Sequence, residues 1–148
     1  MSTMVQNYVG GEWCGVSHSE TLIVTNPASG GEIGRVPLST GADVDKAVQA
    51  AKSAYPGWRS TPSPERARVL FRLKSLLDEH KEDLAQLLTT EHGKVIAETR
   101  GEVQRGIENV EHACGIPSLM MGDTVEQIAD GIDSASWRQP IGVFGVIT

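Results

Sequence analysis

Arg105 is the side chain in this sequence best placed for ligand chemistry. It lies in Gly101-Glu102-Val103-Gln104-Arg105-Gly106, with one glycine beside it and another about a turn earlier. Such a clearing on a helix leaves room for a ligand or another segment to approach the backbone. A guanidinium fork there can grip a carboxylate in two places. Glu102 and Glu108 also lie at helical spacing from Arg105, so a surface ion pair is its default role. Cys14 and Cys114 are the only thiols. A nucleophilic cysteine needs a base or a helix N-terminus to form its thiolate. Cys114 closes a helical stripe, at the wrong end for that, and both cysteines read as packing residues. His18, His80, His92 and His112 follow no metal-ligand or catalytic spacing, and none pairs with a cysteine as in zinc sites. His92, ahead of Gly93, suits the negative end of a helix.

The elements that carry these residues follow from periodicity and turn chemistry. Tyr8-Val9-Gly10-Gly11-Glu12-Trp13 is a hairpin signal. Leu22 to Thr25 and Ile33 to Pro37 read as short strands separated by Asn26-Pro27 and Ser29-Gly30-Gly31 turn residues. Thr40 and Asp43 form a variant capping box that opens a first helix, and Pro56-Gly57 is expected to stop it. Ser63-Pro64 opens a second, with Ser63 as N-cap and Pro64 at its first position. A third is expected from about Lys81 to Glu91 with Gly93 just past its end, and a fourth from about Val95 to Cys114. Gly101 and Gly106 interrupt the fourth, which implies a close neighbour. Thr124 to Ala129, Ile132 to Gln139 and Ile141 to Thr148 read as strands. The last is uncharged and rich in β-branched residues, the pattern of a strand buried on both faces of a parallel sheet. Glycines 142 and 145 within it imply close packing.

Composition narrows the function classes. The 148 residues carry a net charge of −6, with 39% hydrophobic and 22% charged residues, as in an ordinary globular protein. That charge, with no basic cluster, argues against a nucleic-acid partner and against an anionic membrane. No apolar run approaches the ~20 residues of a membrane span. Met1 to Gln6 lacks the basic-then-apolar order of a secretory signal, so reduced cysteines and a cytoplasmic location are expected.

Several segments together resemble the N-terminal portion of the aldehyde dehydrogenase superfamily. They are Asn7-Tyr8-Val9-Gly10-Gly11-Glu12-Trp13, Thr25-Asn26-Pro27-Ala28-Ser29-Gly30, Pro56-Gly57-Trp58, Glu91-His92-Gly93-Lys94 and the run from Gln139 to Thr148. Within it, the stretch from Gly101 to Glu111 and Pro117-Ser118-Leu119-Met120-Met121-Gly122 resemble the CoA-acylating methylmalonate-semialdehyde dehydrogenase branch. The resemblance implies an α/β fold: short strands, four helices, an arm and the first strand of an incomplete Rossmann-like sheet. Residues 1–122 would belong to the cofactor-binding domain, 123–140 to an arm toward the oligomerisation domain, and 141–148 to the NAD-binding sheet. It implies oxidation of methylmalonate or malonate semialdehyde with NAD and coenzyme A, giving propionyl-CoA or acetyl-CoA, by a homodimer or homotetramer. It makes Arg105 the candidate for the substrate carboxylate, and Ile147 and Thr148 candidates for the nicotinamide end of the cofactor site. The superfamily's nucleophilic cysteine, general-base glutamate and oxyanion asparagine match no position here, so this chain is expected to be an inactive front part with no catalytic residue. Another semialdehyde dehydrogenase, or a non-catalytic helical binding or scaffold module, remain the alternatives.

Overall fold

The computed structural model describes residues 3–15 and 20–147. His18 and Thr148 lie outside them. Among the described residues, seven short strands and five helices follow one another in three blocks: strands first, helices in the middle, a hairpin last.

The first block begins with β1 (Thr3–Met4), β2 (Asn7–Val9) and β3 (Glu12–Cys14). β2 and β3 pair antiparallel across the Gly10-Gly11 turn. Tyr8 faces Trp13 in that register, with ring centroids 4.9 Å apart and tilted by 57°, a favourable aromatic geometry. β4 (Thr21–Thr25) and β5 (Glu32–Pro37) form a second antiparallel pair, and β1 adds to β5 in parallel. The turn between β4 and β5 is built by Asn26. Its Oδ1 accepts the backbone N–H groups of Ala28 and Ser29 at 2.8 and 3.3 Å, as expected of an Asx turn.

Helix α1 (Gly41–Ser60) starts at the expected capping box. Thr40 N–H donates to Asp43 Oδ2 at 2.8 Å, and Asp43 N–H donates to Thr40 Oγ1 at 3.4 Å. It does not stop at Pro56 but continues through it to Ser60. An interior proline costs about 3 kcal/mol in an isolated helix. Here the turn beyond it is held from outside: Tyr55 and Arg59 both bond residues 139–140. α2 (Ser63–Glu79) begins one residue earlier than expected; the carbonyl of Pro62 accepts the Glu65 and Arg66 N–H groups. α3 (Lys81–His92) ends at Gly93 in the left-handed region, φ 82°, and α4 (Ile96–Cys114) follows at once.

α2 and α3 both pack on α4. The core at that junction is small: Ala67 from α2, Ala85 from α3, and Thr99, Ile107 and Cys114 from α4. Ile107 and Cys114 come from the expected apolar stripe. Thr99 is a polar residue at 0% exposure, and its hydroxyl is satisfied by Thr89 Oγ1 at 2.8 Å and the Ile96 carbonyl at 3.0 Å. An ion pair and a charge-assisted hydrogen bond tie α3 to α4. Arg100 donates to both oxygens of Glu82, at 2.9 and 2.6 Å, and Lys81 Nζ reaches Gln104 Oε1 at 2.6 Å.

The short α5 (Ile116–Leu119) leads to the hairpin β6 (Thr124–Ala129) and β7 (Ile132–Ala135), exposed along its whole length. β7 is shorter than the expected Ile132 to Gln139. Its ladder pairs Ala135 with Thr124, the first residue of β6; beyond it Ser136 N–H still donates to the Asp123 carbonyl at 2.8 Å and Arg138 Nε donates to the Met121 carbonyl at 3.1 Å, but the regular ladder does not continue. Residues 141–147 form no strand, contrary to expectation. A strand exists only as part of a ladder, and the β-branched pattern cannot supply the neighbour. This segment lies along α1 instead: Val143 and Phe144 line one hollow with Val44, Ala47, Val48 and Ala51. Gly142 serves a different purpose from the close packing expected. A Cβ there would touch nothing, but its φ is +142°, a conformation that side chains resist.

Candidate functional site

Arg105 stands at the middle of α4, with its side chain 70% exposed. Its Nη2 lies 4.0 Å from Glu102 Oε1. Lys94, in the link between α3 and α4, bonds the same Glu102 oxygen. Glu102 is therefore shared by two cations, and the Lys94 hydrogen bond is the main cause that holds its carboxyl below the ordinary glutamate value. The other expected partner, Glu108, accepts Gln104 Nε2 at 3.0 Å. The ion pair expected by default is thus present at Glu102, but at the outer limit of contact, and it leaves most of the guanidinium open.

The glycines beside Arg105 have no close neighbour among the described residues. A Cβ built on Gly101 or Gly106 would meet nothing within 4 Å. One side of α4 is consequently bare next to an exposed guanidinium. Gly106 also borders an apolar hollow lined by Leu77, Leu84, Leu87 and Val103. The arrangement can receive a segment or ligand that carries a carboxylate. No hydrogen bond or ion pair among the described residues joins it to Ile147, whose side chain is fully exposed at the end of the segment along α1.

The thiols do not assemble a nucleophile. Cys114 is 6% exposed at the end of α4, and Cys14 Sγ donates to the Glu12 carbonyl at 3.4 Å. Both are free. His80 Nδ1 stands 3.5 Å from Asp83, and His92 and His112 occupy last turns of α3 and α4. Among the described residues no group of three or more His, Cys, Asp or Glu is set to hold a metal ion, and no helix is long and apolar enough to cross a membrane.

One polar cluster was not legible beforehand. Tyr55 Oη donates to the Pro140 carbonyl at 2.7 Å, Arg59 Nη1 donates to Tyr55 Oη at 3.3 Å, and Arg59 Nη2 donates to Gln139 Oε1 at 3.0 Å. Tyr55 stands in the sequence as one more member of an apolar stripe. Its partner is 85 positions away, and the only local signal is that a half-buried tyrosine hydroxyl needs some partner.

Comparison with known proteins gives this arrangement its setting. The chain is 50% identical over 147 residues to malonate-semialdehyde dehydrogenase 1 of Geobacillus kaustophilus, covering 99% of this chain and 30% of that protein. Its fold matches the methylmalonate-semialdehyde dehydrogenase of Oceanimonas doudoroffii with a TM-score of 0.87 and 41% identity, over 95% of this chain and 28% of the other. A protein of Sinorhizobium meliloti 1021 assigned to the same activity, and solved complexed with NAD, matches with a TM-score of 0.90 and 36% identity, over 96% and 29% of the two chains. The chain therefore spans about 30% of the length of the curated relatives it matches. The fold of this chain is thus shared with a known architecture. With the aldehyde dehydrogenase family profile matching residues 13–148, the chain belongs to the aldehyde dehydrogenase family.

Proposed function

We propose that the full-length protein is an NAD-dependent, CoA-acylating dehydrogenase of malonate or methylmalonate semialdehyde. The observation that carries this reading is the identity of about half of all residues, over nearly the whole chain, to proteins named malonate-semialdehyde dehydrogenase. Methylmalonate semialdehyde, NAD and coenzyme A would give propionyl-CoA, carbon dioxide and NADH; malonate semialdehyde would give acetyl-CoA. When bound, NAD supplies the hydride acceptor.

Arg105 is the residue of this chain that grips the substrate carboxylate. Its open guanidinium and the bare backbone at Gly101 and Gly106 support that role. Ile147 contributes to the nicotinamide end of the cofactor site: its fully exposed aliphatic side chain suits the face of a flat ring. Thr148 is assigned to the same site from the resemblance alone. Residues 1–122 belong to the cofactor-binding domain, residues 123–140 to an arm toward the oligomerisation domain, and residues 141–148 to the cofactor sheet, in a homodimer or homotetramer. The free thiols and the net charge of −6 favour a cytoplasmic protein whose partner is a small semialdehyde rather than nucleic acid or membrane.

Neither Cys14 nor Cys114 is the nucleophile in this reading, so the 148-residue chain by itself is inactive. The test is a steady-state assay of the full-length protein with methylmalonate semialdehyde and NAD, with and without coenzyme A. Propionyl-CoA formed together with NADH is the expected result. Equal activity toward succinate semialdehyde, independent of coenzyme A, would overturn it.

A further inference from the structure

The segment that follows the β6–β7 hairpin is in no ladder, so its course must be set by something else. Ser136 and Arg138 tether its first residues to Asp123 and Met121, and beyond them two side chains of α1 set its course. Tyr55 holds the Pro140 carbonyl at 2.7 Å, and Arg59 holds Gln139 at 3.0 Å while bracing the Tyr55 hydroxyl at 3.3 Å. Tyr55 and Arg59 are four residues apart and so share a helical face. They do so only because α1 continues unbroken through Pro56. Immediately beyond the clamp, residues 141–145 line a hollow with Val48, Lys52 and Tyr55. The chain then reaches Ile147 with an apolar side chain presented to solvent.

We infer that Tyr55 and Arg59 are positioning residues for the cofactor-binding segment, setting where Ile147 stands without touching the cofactor themselves. This rests on the reading of Ile147 as part of the nicotinamide site. The clamp grips the backbone seven residues before Ile147; without it the last polar tether ahead of Ile147 is the Arg138 bond to the Met121 carbonyl, and residues 141–145 keep only apolar contacts with α1. Apolar contacts are non-directional and fix no register. A hydrogen bond to a carbonyl does.

The test uses the full-length protein and measures NAD binding by calorimetry without substrate, alongside turnover. Tyr55→Phe removes the hydroxyl and keeps the ring. It should raise the NAD dissociation constant about two- to tenfold, the range of one lost hydrogen bond, with kcat at saturating NAD unchanged. Arg59→Leu should act in the same direction, and Arg59→Lys should recover part of the loss. Ile147→Ser serves as the control for the underlying reading. A lower melting temperature with unchanged NAD affinity in Tyr55→Phe and Arg59→Leu, while Ile147→Ser weakens NAD, would overturn the positioning role and leave the site assignment standing. Unchanged affinity in all of them would overturn both. Should Tyr55→Phe fail to fold, Arg59→Leu, on the exposed side of the clamp, decides alone.

Discussion

The ring of Pro27 stands against Gly93: a Cβ on Gly93 would come within 2.8 Å of Pro27 Cγ. Gly93 also has φ +82° and donates its N–H to the Thr89 carbonyl at 2.9 Å, closing α3. The turn between β4 and β5 is thereby locked against the end of a helix. Gly93→Ala should destabilise the protein by about 2–4 kcal/mol, from the left-handed backbone and the overpacking together. Pro27→Ala in the same protein should recover the overpacking share and leave the backbone share. Urea denaturation of the two single variants and the double variant checks this. Strict additivity would mean that the two residues do not meet.

Arg105→Leu in the full-length enzyme should raise KM for methylmalonate semialdehyde far more than for propanal, which has no carboxylate. A lost charge-assisted contact of about 1.5–3 kcal/mol predicts a loss of roughly ten- to a hundredfold in kcat/KM. Arg105→Lys should recover only part, because an ammonium lacks the fork. If Arg105 only pairs with Glu102 on the helix surface, the ratio between the two substrates will not move.

Acid should loosen the α3–α4 contact. The Arg100 hydrogen bond is the main cause lowering the Glu82 pKa, and the Lys94 hydrogen bond the main cause lowering that of Glu102, each from the ordinary value of 4.5. A carboxylate with a depressed folded pKa contributes stability that is present above its unfolded value and lost as pH falls through its folded value. Glu82 is exposed and Glu102 half-buried, and solvent screens both, so the contribution is modest. Glu82→Gln and Glu102→Gln should lower the melting temperature at neutral pH, and the deficit should close as pH falls below 4.5. A deficit that is constant with pH would assign the effect to packing.

The hydroxyl pair of Thr89 and Thr99 should show non-additivity. Thr99→Val strands the Thr89 hydroxyl and should cost about 1–2 kcal/mol. Replacing both threonines by valine removes donor and acceptor together, and should cost less than the sum of the single changes. A double-mutant cycle by chemical denaturation reads this directly.

Local chemistry was the legible part of the fold. The Thr40–Asp43 box, the Gly10-Gly11 turn, the Asn26 turn and the Gly93 stop each depend on residues within a few positions, and each formed where expected. What escaped depends on distant partners. Pro56 ought to end a helix, but anchors 80 and 85 residues away hold the next turn. The parallel pairing of Thr3 and Met4 with β5 has no signature in two residues. The run from Ile141 onward has the composition of a strand, but composition cannot say whether a ladder accepts it. Thr99 belongs to the core because Thr89 is there to receive its hydroxyl, which periodicity does not see. At the candidate site, the Arg105–Glu102 contact was readable from helical spacing, whereas Lys94 as a competitor for Glu102 was not.

Helix α1 carries a last implication. One of its faces lines a hollow with Tyr8 and Val9 from the opening hairpin and with Val143 and Phe144 from the final segment. The helix is thus a splint bound at both sides. The opening hairpin and the final segment are set against a common rod, distant in sequence yet neighbours in space.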